Sequence, residues 1–190
     1  MNTGSVNKVE GSQDRNDDFP NGLRKPPSII IIGLGNPILG DDGFGWEVVR
    51  QLESHFPGMS NAVEIECASL GGLSLMERLI GYQIAILIDT IHLGQNAIGT
   101  LYCLPLEQLP DYSAGHANSS HDTTLHTAIH LGRSLGASLP DPIWVVSVET
   151  PNTYDFSEEL SPPVAAAVPN AAQCTLDLLN QYLIPAYEGE

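Results

Sequence analysis

The run IIIIGL at residues 29–34 constrains the fold of this chain more than any other segment. Four consecutive β-branched residues leave no polar face for solvent, so the segment predicts a β-strand that is buried on both faces. Such a strand requires a covering layer on each side of its sheet. The chain therefore needs an architecture in which other elements cover both faces of a central sheet.

Similar apolar runs and helical periodicities follow along the chain. Strands are predicted over 29–34, 62–67, 84–88, 99–104 and 143–148, with 99–104 as a candidate edge strand. Helices are predicted from Phe44 to Phe56, over 73–80, from near His121 to Leu135, and over 163–183 with a kink at Pro169. Because strands alternate with helices, we expect an α/β domain with a mostly parallel sheet covered on both faces.

Composition separates the chain into two parts. Residues 1–27 are rich in Asn, Asp, Gly, Ser and Pro, which predicts a disordered N-terminal extension. Residues 28–190 are expected to form one domain with a hydrophobic core of its own. The three cysteines (Cys67, Cys103 and Cys174) have apolar neighbours and no zinc or disulfide spacing, so we expect buried thiols. With no signal peptide and no membrane-spanning run, the sequence predicts a reducing, cytoplasmic location.

The net charge limits the classes of partner. The formal charge is −16, with only seven Lys and Arg residues. Such a surface repels phosphate groups, so we expect no nucleic-acid partner and no membrane partner. The charge suits a basic partner segment, or it simply keeps the protein in solution. We expect the protein to be a monomer.

Acidic residues follow several of the predicted strands. The first strand leads into GNPILGDDGFG at 35–45, which carries Asp41 and Asp42, the third leads to Asp89, and the fifth leads to Glu149. Functional sites of open α/β sheets gather at the carboxyl ends of their parallel strands. The sequence therefore predicts that acidic side chains converge at one edge of the sheet.

The glycine-rich loop does not match a nucleotide-binding motif. Ile38 stands where a dinucleotide fingerprint has its third glycine, and Pro37 lacks an N–H for the pyrophosphate. The predicted helix also begins about eight residues after the second glycine instead of at it. No Gly-Lys-Ser/Thr sequence follows, which excludes a P-loop. A nucleotide-binding domain is therefore disfavoured.

The two adjacent aspartates of the loop are expected to have different roles. Asp is a favoured helix N-cap, and acidic residues near a helix start are stabilised by the helix dipole. One cap explains only one residue, and adjacent side chains diverge. We therefore expect Asp41 to act as a cap and Asp42 to face a cleft, with Gly43 and Gly45 allowing a tight turn and close approach to the backbone.

Asp89 and His121 complete a candidate metal-binding set. A carboxylate at the end of a buried strand needs a partner, because burial of a lone charge is costly. Ser119 and Asp122 have the spacing of a capping box, which places His121 in the first turn of a helix, where the dipole favours neutral imidazole. Together Asp42, Asp89 and His121 would suit a divalent transition metal with open coordination positions.

Taken in order, these motifs resemble those of the nickel–iron hydrogenase maturation endopeptidases. GNPILGDDGFG resembles the G-N-x-x-x-x-D-[DE]-G-x-G signature of the family. ILIDT, with Asp89, resembles the second acidic strand end of the family, and SSHDTTL, with His121, resembles the start of one of its helices. LSPPVAAAVPNAA resembles its C-terminal helix with an internal proline. The resemblance covers residues 29–183, and the chain departs from the family in the extension over 1–27.

The resemblance implies a fold, an activity and a set of site residues. It implies a three-layer α/β/α fold, with a twisted sheet of about five strands, for a single peptidase domain over 28–190. Members cut a C-terminal peptide from the nickel-loaded precursor of the NiFe hydrogenase large subunit. The metal-contacting positions of the family carry over to Asp42, Asp89 and His121, and the nickel is implied to arrive with the substrate. The supporting residues of the loop are Gly35, Asn36, Asp41, Gly43 and Gly45.

The sequence leaves two mechanisms and one alternative function open. No cysteine or serine has a recognisable partner histidine, so water is the expected nucleophile. Either the nickel of the substrate polarises the carbonyl or the water, or it only docks the substrate while a carboxylate acts as general base, as in aspartic peptidases. The alternative function is a non-catalytic nickel-binding or metallochaperone module, which would bind nickel tightly by itself and cleave nothing.

Overall fold

The structure is a computed structural model that describes residues 28–55, 62–109, 124–151 and 156–183. The strands are β1 (Ile29–Leu34), β2 (Val63–Ala68), β3 (Ile84–Ile91), β4 (Leu101–Pro105) and β5 (Ile143–Glu149). The helices are α1 (Phe44–His55), α2 (Gly72–Arg78), α3 (Leu125–Ser134) and α4 (Pro162–Leu183), with short 3-10 turns at Gly40–Gly43 and Leu106–Gln108. The N-terminal extension predicted over 1–27 lies outside the described residues.

The five strands form one sheet in the order β2-β1-β3-β5-β4. Neighbouring strands are parallel except for the edge strand β4, which is antiparallel to β5. The predicted α/β domain with a mostly parallel five-stranded sheet is therefore confirmed. None of the helices in the described ranges is both long enough and apolar enough to cross a membrane.

The isoleucine run of β1 is explained by two hydrophobic cores, one on each face of the sheet. Ile29 and Ile31 belong to the core that includes residues of α1 and α4. Ile30 and Ile32 belong to the core that includes residues of α2 and α3. Because successive side chains of a strand point to opposite faces, a strand covered on both sides needs an apolar residue at every position.

The prediction that 62–67 resembles a strand buried on both faces is wrong. β2 lies at an edge of the sheet, and its side chains are half-buried or exposed. Glu64 and Glu66 project from it and form ion pairs with Arg78 of α2. These charges fit an edge strand, since charged side chains discourage pairing with the edge of another sheet.

Helix α3 begins later than the sequence predicts. Its N-cap is Thr124, whose hydroxyl oxygen accepts a hydrogen bond from the backbone N–H of Thr127 at 3.2 Å. The expected start near His121 is therefore wrong, because a Thr-x-x-Thr cap three residues further on supplies the start. His121 itself lies outside the described residues. Helix α4 continues through Pro169 to Leu183.

Two of the three cysteines are not the buried thiols that we expected. Cys103 of β4 and Cys174 of α4 form a disulfide across 71 positions of the sequence. Cys103 is opposite Val146, which belongs to the core beneath α4, so its side chain points towards that helix. Cys67 is free and half-buried. Burial, with a smaller contribution from the charge of Glu53, raises the pKa of its thiol to about 11.

Candidate active site

The strand order creates a crevice between the carboxyl ends of β1 and β3. From β1 the chain passes through α1 to β2 on one side, and then through α2 to β3 on the other side of β1. Open α/β sheets bind ligands at such a reversal of strand order. Asp42 follows β1, and Asp89 lies near the end of β3. The fold therefore brings two of the predicted site residues to neighbouring strand ends.

Asp42 is a buried carboxylate whose orientation is set by its own loop. Its side chain is 2% exposed, and one carboxylate oxygen accepts a hydrogen bond from the backbone N–H of Asn36 at 2.7 Å. Gly35 has a φ of 113°, and a Cβ at this position would lie 1.9 Å from the carbonyl oxygen of Asp42. The carbonyl of Gly35 accepts hydrogen bonds from the side chains of Trp46 and Ser69. Gly35 and Asn36 thus hold Asp42 in place.

Asp41 anchors helix α4 to the loop. One of its oxygens accepts a hydrogen bond from the backbone N–H of Ser161 at 2.6 Å, and the other accepts one from the Ser161 hydroxyl at 2.9 Å. We expected a cap on the helix that directly follows Asp41, but its carboxylate binds the start of a distant helix. The local sequence signal for that start is Ser161 followed by Pro162 at the first helical position.

Gly45 lets the loop pack directly against the sheet, and Gly43 lets the loop pack against itself. A Cβ on Gly45 would lie 2.5 Å from the carbonyl oxygens of both Leu34 in β1 and Ile88 in β3. A Cβ on Gly43 would lie 3.1 Å from the Cα atom of Pro37. The close approach that we expected at these glycines is thus made by the chain's own backbone. It fixes the start of α1 on the ends of the two strands that border the crevice.

Asp89 is the more accessible of the two carboxylates. It is half-buried, and one of its oxygens accepts a hydrogen bond from the backbone N–H of Thr90 at 2.7 Å. Asp89 therefore places a carboxylate at the border of the crevice. A group that arrives from solvent can reach this carboxylate more readily than the buried carboxylate of Asp42.

Glu149, the third acidic residue of this edge, is engaged within the protein. Its buried carboxylate accepts hydrogen bonds from the backbone N–H groups of Leu93 and Gly94, both at 2.8 Å, and from the Tyr102 hydroxyl at 2.6 Å. Burial acts to raise the pKa of Glu149, but these hydrogen bonds outweigh it, so the pKa lies below its ordinary value. Glu149 therefore ties the loop after β3 to β4 and β5, and sequence reasoning missed its partner Tyr102.

The described histidines do not complete the predicted ligand set. His92 is exposed, with Nδ1 2.8 Å from the carbonyl oxygen of Thr150. His126 places Nε2 2.7 Å from the carbonyl oxygen of Leu106. Within the described residues, no group of three or more His, Cys, Asp or Glu side chains is arranged to hold a metal ion. The third predicted ligand, His121, lies outside those residues.

Two exposed apolar side chains stand beside the loop that carries the aspartates. Leu39 and Ser157 form an isolated parallel β-bridge, and the Ser157 N–H donates to the carbonyl oxygen of Ile38 at 3.1 Å. Ile38 and Phe156 each precede a bridged residue, so the two residues lie next to each other. They are 48% and 90% exposed. Exposed Glu158 follows directly, which makes this a small apolar surface with an acidic flank.

Some proteins are similar to this chain in sequence, and a solved structure is similar to it in fold. The chain is 25% identical over 168 residues to the hydrogenase expression/formation protein HupD of Thiocapsa roseopersicina, covering 88% of this chain and 75% of that protein. It is 26% identical over 162 residues to the hydrogenase 2 maturation protease of Escherichia coli K12, covering 85% and 96%. The solved structure of the hydrogenase maturating endopeptidase HybD from E. coli matches with a TM-score of 0.67 and 27% identity, covering 80% and 92% of the two chains.

The family model for hydrogenase maturation proteases matches residues 46–178. The matched range includes Asp89 and begins directly after the loop that bears Asp42. The resemblance inferred from the motifs is therefore confirmed, and so is the expectation of a hydrolase of the protease type. The chain belongs to the hydrogenase maturation protease family.

Proposed function

We propose that this chain is an endopeptidase that removes a C-terminal peptide from the nickel-loaded precursor of a NiFe hydrogenase large subunit. The observation that carries the proposal is the position of Asp42 and Asp89 on the two strand ends that border the crevice of a maturation-protease fold. Sites at such a reversal of strand order are the usual location of chemistry in open α/β sheets.

The donor chemistry of the crevice supports contact with a substrate-borne metal. Together with the imidazole of His121, which lies outside the described residues, the two carboxylates would make an oxygen and nitrogen set that suits a divalent transition metal. Three protein ligands would leave coordination positions for groups of the substrate. Nickel carried by the precursor would then supply Lewis acidity next to the scissile bond.

Asp42 and Asp89 would have different roles in the cleavage. Asp42, buried and held by the Asn36 N–H, is oriented before the substrate arrives. Asp89 is half-buried and reachable from solvent. We therefore assign it the role of the general base, which takes a proton from the attacking water. The hydroxyl of that water then bonds to the scissile carbonyl carbon as the C–N bond breaks, and Asp89 passes the proton that it took to the leaving amine.

The apolar surface of Ile38 and Phe156 supports a protein substrate. Exposed aromatic and aliphatic side chains next to a site are typical contacts of protein partners. This surface adjoins the loop of Asp41 and Asp42, so a polypeptide that reaches the crevice would pass over it. The acidic residues Glu158 and Glu159 beside it favour a basic segment in that polypeptide.

The decisive experiment incubates the protein with nickel-loaded and with nickel-free hydrogenase precursor and follows the mass of the large subunit. We expect a small mass loss only with the loaded precursor. Cleavage of both forms, or of neither, contradicts the proposal. Tight nickel binding by the free protein without any cleavage would instead support a metallochaperone.

The assignment of Asp89 is tested with Asp89→Asn, using Asp177→Asn on the exposed face of α4 as the matched control. We expect Asp89→Asn to lose cleavage and to weaken the nickel-dependent interaction with the precursor. Lost cleavage with normal nickel-dependent binding would leave Asp89 as a general base that does not contact the metal. Normal cleavage would remove Asp89 from the site.

A further inference from the structure

A buried hydroxyl on β5 has no hydrogen-bond partner in the part of the chain that the structure describes. Ser147 is 1% exposed, and its hydroxyl oxygen makes no hydrogen bond with any of the residues that the structure describes. Buried polar groups in folded proteins are nearly always paired, because an unpaired one loses its water without compensation. Among the described residues, therefore, nothing compensates the Ser147 hydroxyl for its lost hydration, and the hydroxyl needs an explanation.

Its position in the sheet places this hydroxyl beside Asp89. Asp89 of β3 and Ser147 of β5 are paired across the two parallel strands, and paired strands lie about 4.8 Å apart. Ala85 and Leu87 of β3 belong to the core beneath α2 and α3, as do Ile143 and Val145 of β5. Because side chains alternate between faces, Asp89 and Ser147 project on that same face.

The neighbour of Ser147 on its other side is already engaged. Tyr102 of β4 is paired with Ser147, but its hydroxyl donates to Glu149 at 2.6 Å and lies 3.0 Å from the side-chain nitrogen of Asn96. Packing alone does not explain the hydroxyl, since alanine would fill nearly the same space without a polar atom. The hydroxyl is accounted for if it acquires a partner in a state other than the free protein.

We propose that Ser147 is a positioning residue for Asp89 in the complex with substrate. When the half-buried Asp89 carboxylate engages the substrate, the Ser147 hydroxyl donates to it and fixes its orientation. The movement required of Ser147 is a rotation about χ1 between staggered conformations. A hydrogen bond to an ionised carboxylate is among the stronger ones that a hydroxyl can make. This inference rests on the proposed function of Asp89.

The test is Ser147→Ala, compared with Ser147→Cys and with Thr175→Val. Thr175 is a matched buried residue in α4 whose hydroxyl donates a hydrogen bond to the carbonyl oxygen of Ala171 at 2.9 Å. Each variant is measured for thermal unfolding as the free protein and for kcat and KM on the nickel-loaded precursor. Ser147→Cys keeps a weaker donor of similar size, and it serves as a second variant if the alanine protein folds poorly.

We expect Ser147→Ala to unfold at a higher temperature than the wild type and to lose about tenfold in kcat with little change in KM. Tenfold corresponds to about 1.4 kcal/mol of transition-state stabilisation. Ser147→Cys should have an intermediate kcat, and Thr175→Val should lose stability while keeping kcat. An unchanged kcat in Ser147→Ala, or a loss of stability together with kcat, overturns the inference.

The same experiment separates this inference from the proposed function. If wild type leaves the nickel-loaded precursor intact, the proposed function fails and the inference fails with it. If wild type cleaves the precursor and Ser147→Ala cleaves it equally fast, only the role of Ser147 is wrong.

Discussion

At the residue scale, Asp41 and Asp42 are neighbours in sequence with separate partners, which permits a matched pair of variants. Asn at position 42 keeps an oxygen that can accept from the Asn36 N–H, so Asp42→Asn should fold normally. It removes one of the two carboxylate charges at the crevice, and we expect cleavage of the loaded precursor to fall by roughly a hundredfold or more. Precursor cleavage and circular dichroism of the same preparation check this expectation.

The control for that variant is Asp41→Asn. It weakens the two hydrogen bonds that hold Ser161 at the start of α4, which should cost about 1 to 2 kcal/mol of unfolding free energy. We expect its cleavage rate to stay within a few-fold of wild type. The reverse pattern, with activity lost in Asp41→Asn and kept in Asp42→Asn, would exchange the roles of the two residues.

Glu149 gives the fold a specific dependence on pH. Its pKa in the folded protein lies below the ordinary value of about 4.3. Its stabilising contribution is therefore complete above that value and is lost as the pH falls through the folded pKa, because the unfolded chain takes up the proton first. Glu149→Gln should lower the unfolding free energy by about 2 kcal/mol at pH 7, and the difference from wild type should shrink below pH 4.

Urea denaturation at several pH values measures this difference for Glu149→Gln. The exposed residue Glu159 supplies the matched control, and Glu159→Gln should leave the unfolding free energy close to wild type across the same range. A difference for Glu149→Gln that is constant between pH 7 and pH 3 would show that the carboxylate charge does not stabilise the loop after β3.

At the element scale, the close packing of α1 on the sheet depends on Gly45. A Cβ there would lie 2.5 Å from two backbone carbonyl oxygens, which cannot move without displacing β1 or β3. We expect Gly45→Ala to lower the unfolding free energy by about 3 kcal/mol, as an overpacked core position does. Gly71→Ala is the control. Apart from Gly71 itself and its neighbours along the chain, no described atom lies within 4 Å of the position of the new methyl group, so the cost should stay below about 1 kcal/mol. Chemical denaturation distinguishes the two, and equal costs would contradict this account of the loop.

The bridge between Leu39 and Ser157 presents a surface element whose role can be separated from folding. Phe156 is 90% exposed, so Phe156→Ser should not change the unfolding temperature. If the precursor passes over this surface, Phe156→Ser should raise KM by about tenfold and leave kcat nearly constant. A tenfold change corresponds to the binding free energy lost with one buried aromatic contact. Leu135→Ser, at an exposed leucine on the end of α3, should change neither constant. A KM that is unchanged in Phe156→Ser would exclude this surface from substrate contact.

The sequence predicts elements well where periodicity decides and poorly where tertiary contacts decide. The isoleucine run of β1 predicts a strand that is buried on both faces, because this sequence pattern depends only on burial. The edge position of β2 depends on which strand pairs with it, and its Val-x-Ile-x-Cys pattern does not encode that neighbour. The start of α3 depends on which of several hydroxyl residues caps it, and Thr124 is one candidate among Ser119, Ser120, Thr123 and Thr124.

At the scale of the whole molecule, the site also divides into features that local sequence patterns predict and features that depend on tertiary contacts. Motif order and the rule for parallel sheets lead to Asp42 and Asp89, because both follow strand ends that the sequence reveals. The anchoring of Asp41 by Ser161 spans 120 positions, and the pairing of Asp89 with Ser147 requires the strand order. Neither can be read from local spacing. The serine in the apolar run IWVVSV is a local signal, but only the sheet shows which residue it faces.

At the same scale, the disulfide covalently joins edge strand β4 to helix α4, two elements that lie 71 positions apart in the sequence at the bonded cysteines. Closing a loop of that length in the unfolded chain is worth up to about 4 kcal/mol in the chain-entropy model. A reductant should therefore lower the denaturation midpoint of wild type, and the double variant Cys103→Ser, Cys174→Ser should be insensitive to it. Cys67→Ser should keep the response of wild type, because burial leaves that thiol protonated and unreactive near neutral pH. A wild-type midpoint that is the same with and without reductant would mean that the two sulfurs are not bonded in solution, and would restore the thiol pair expected of a reducing compartment.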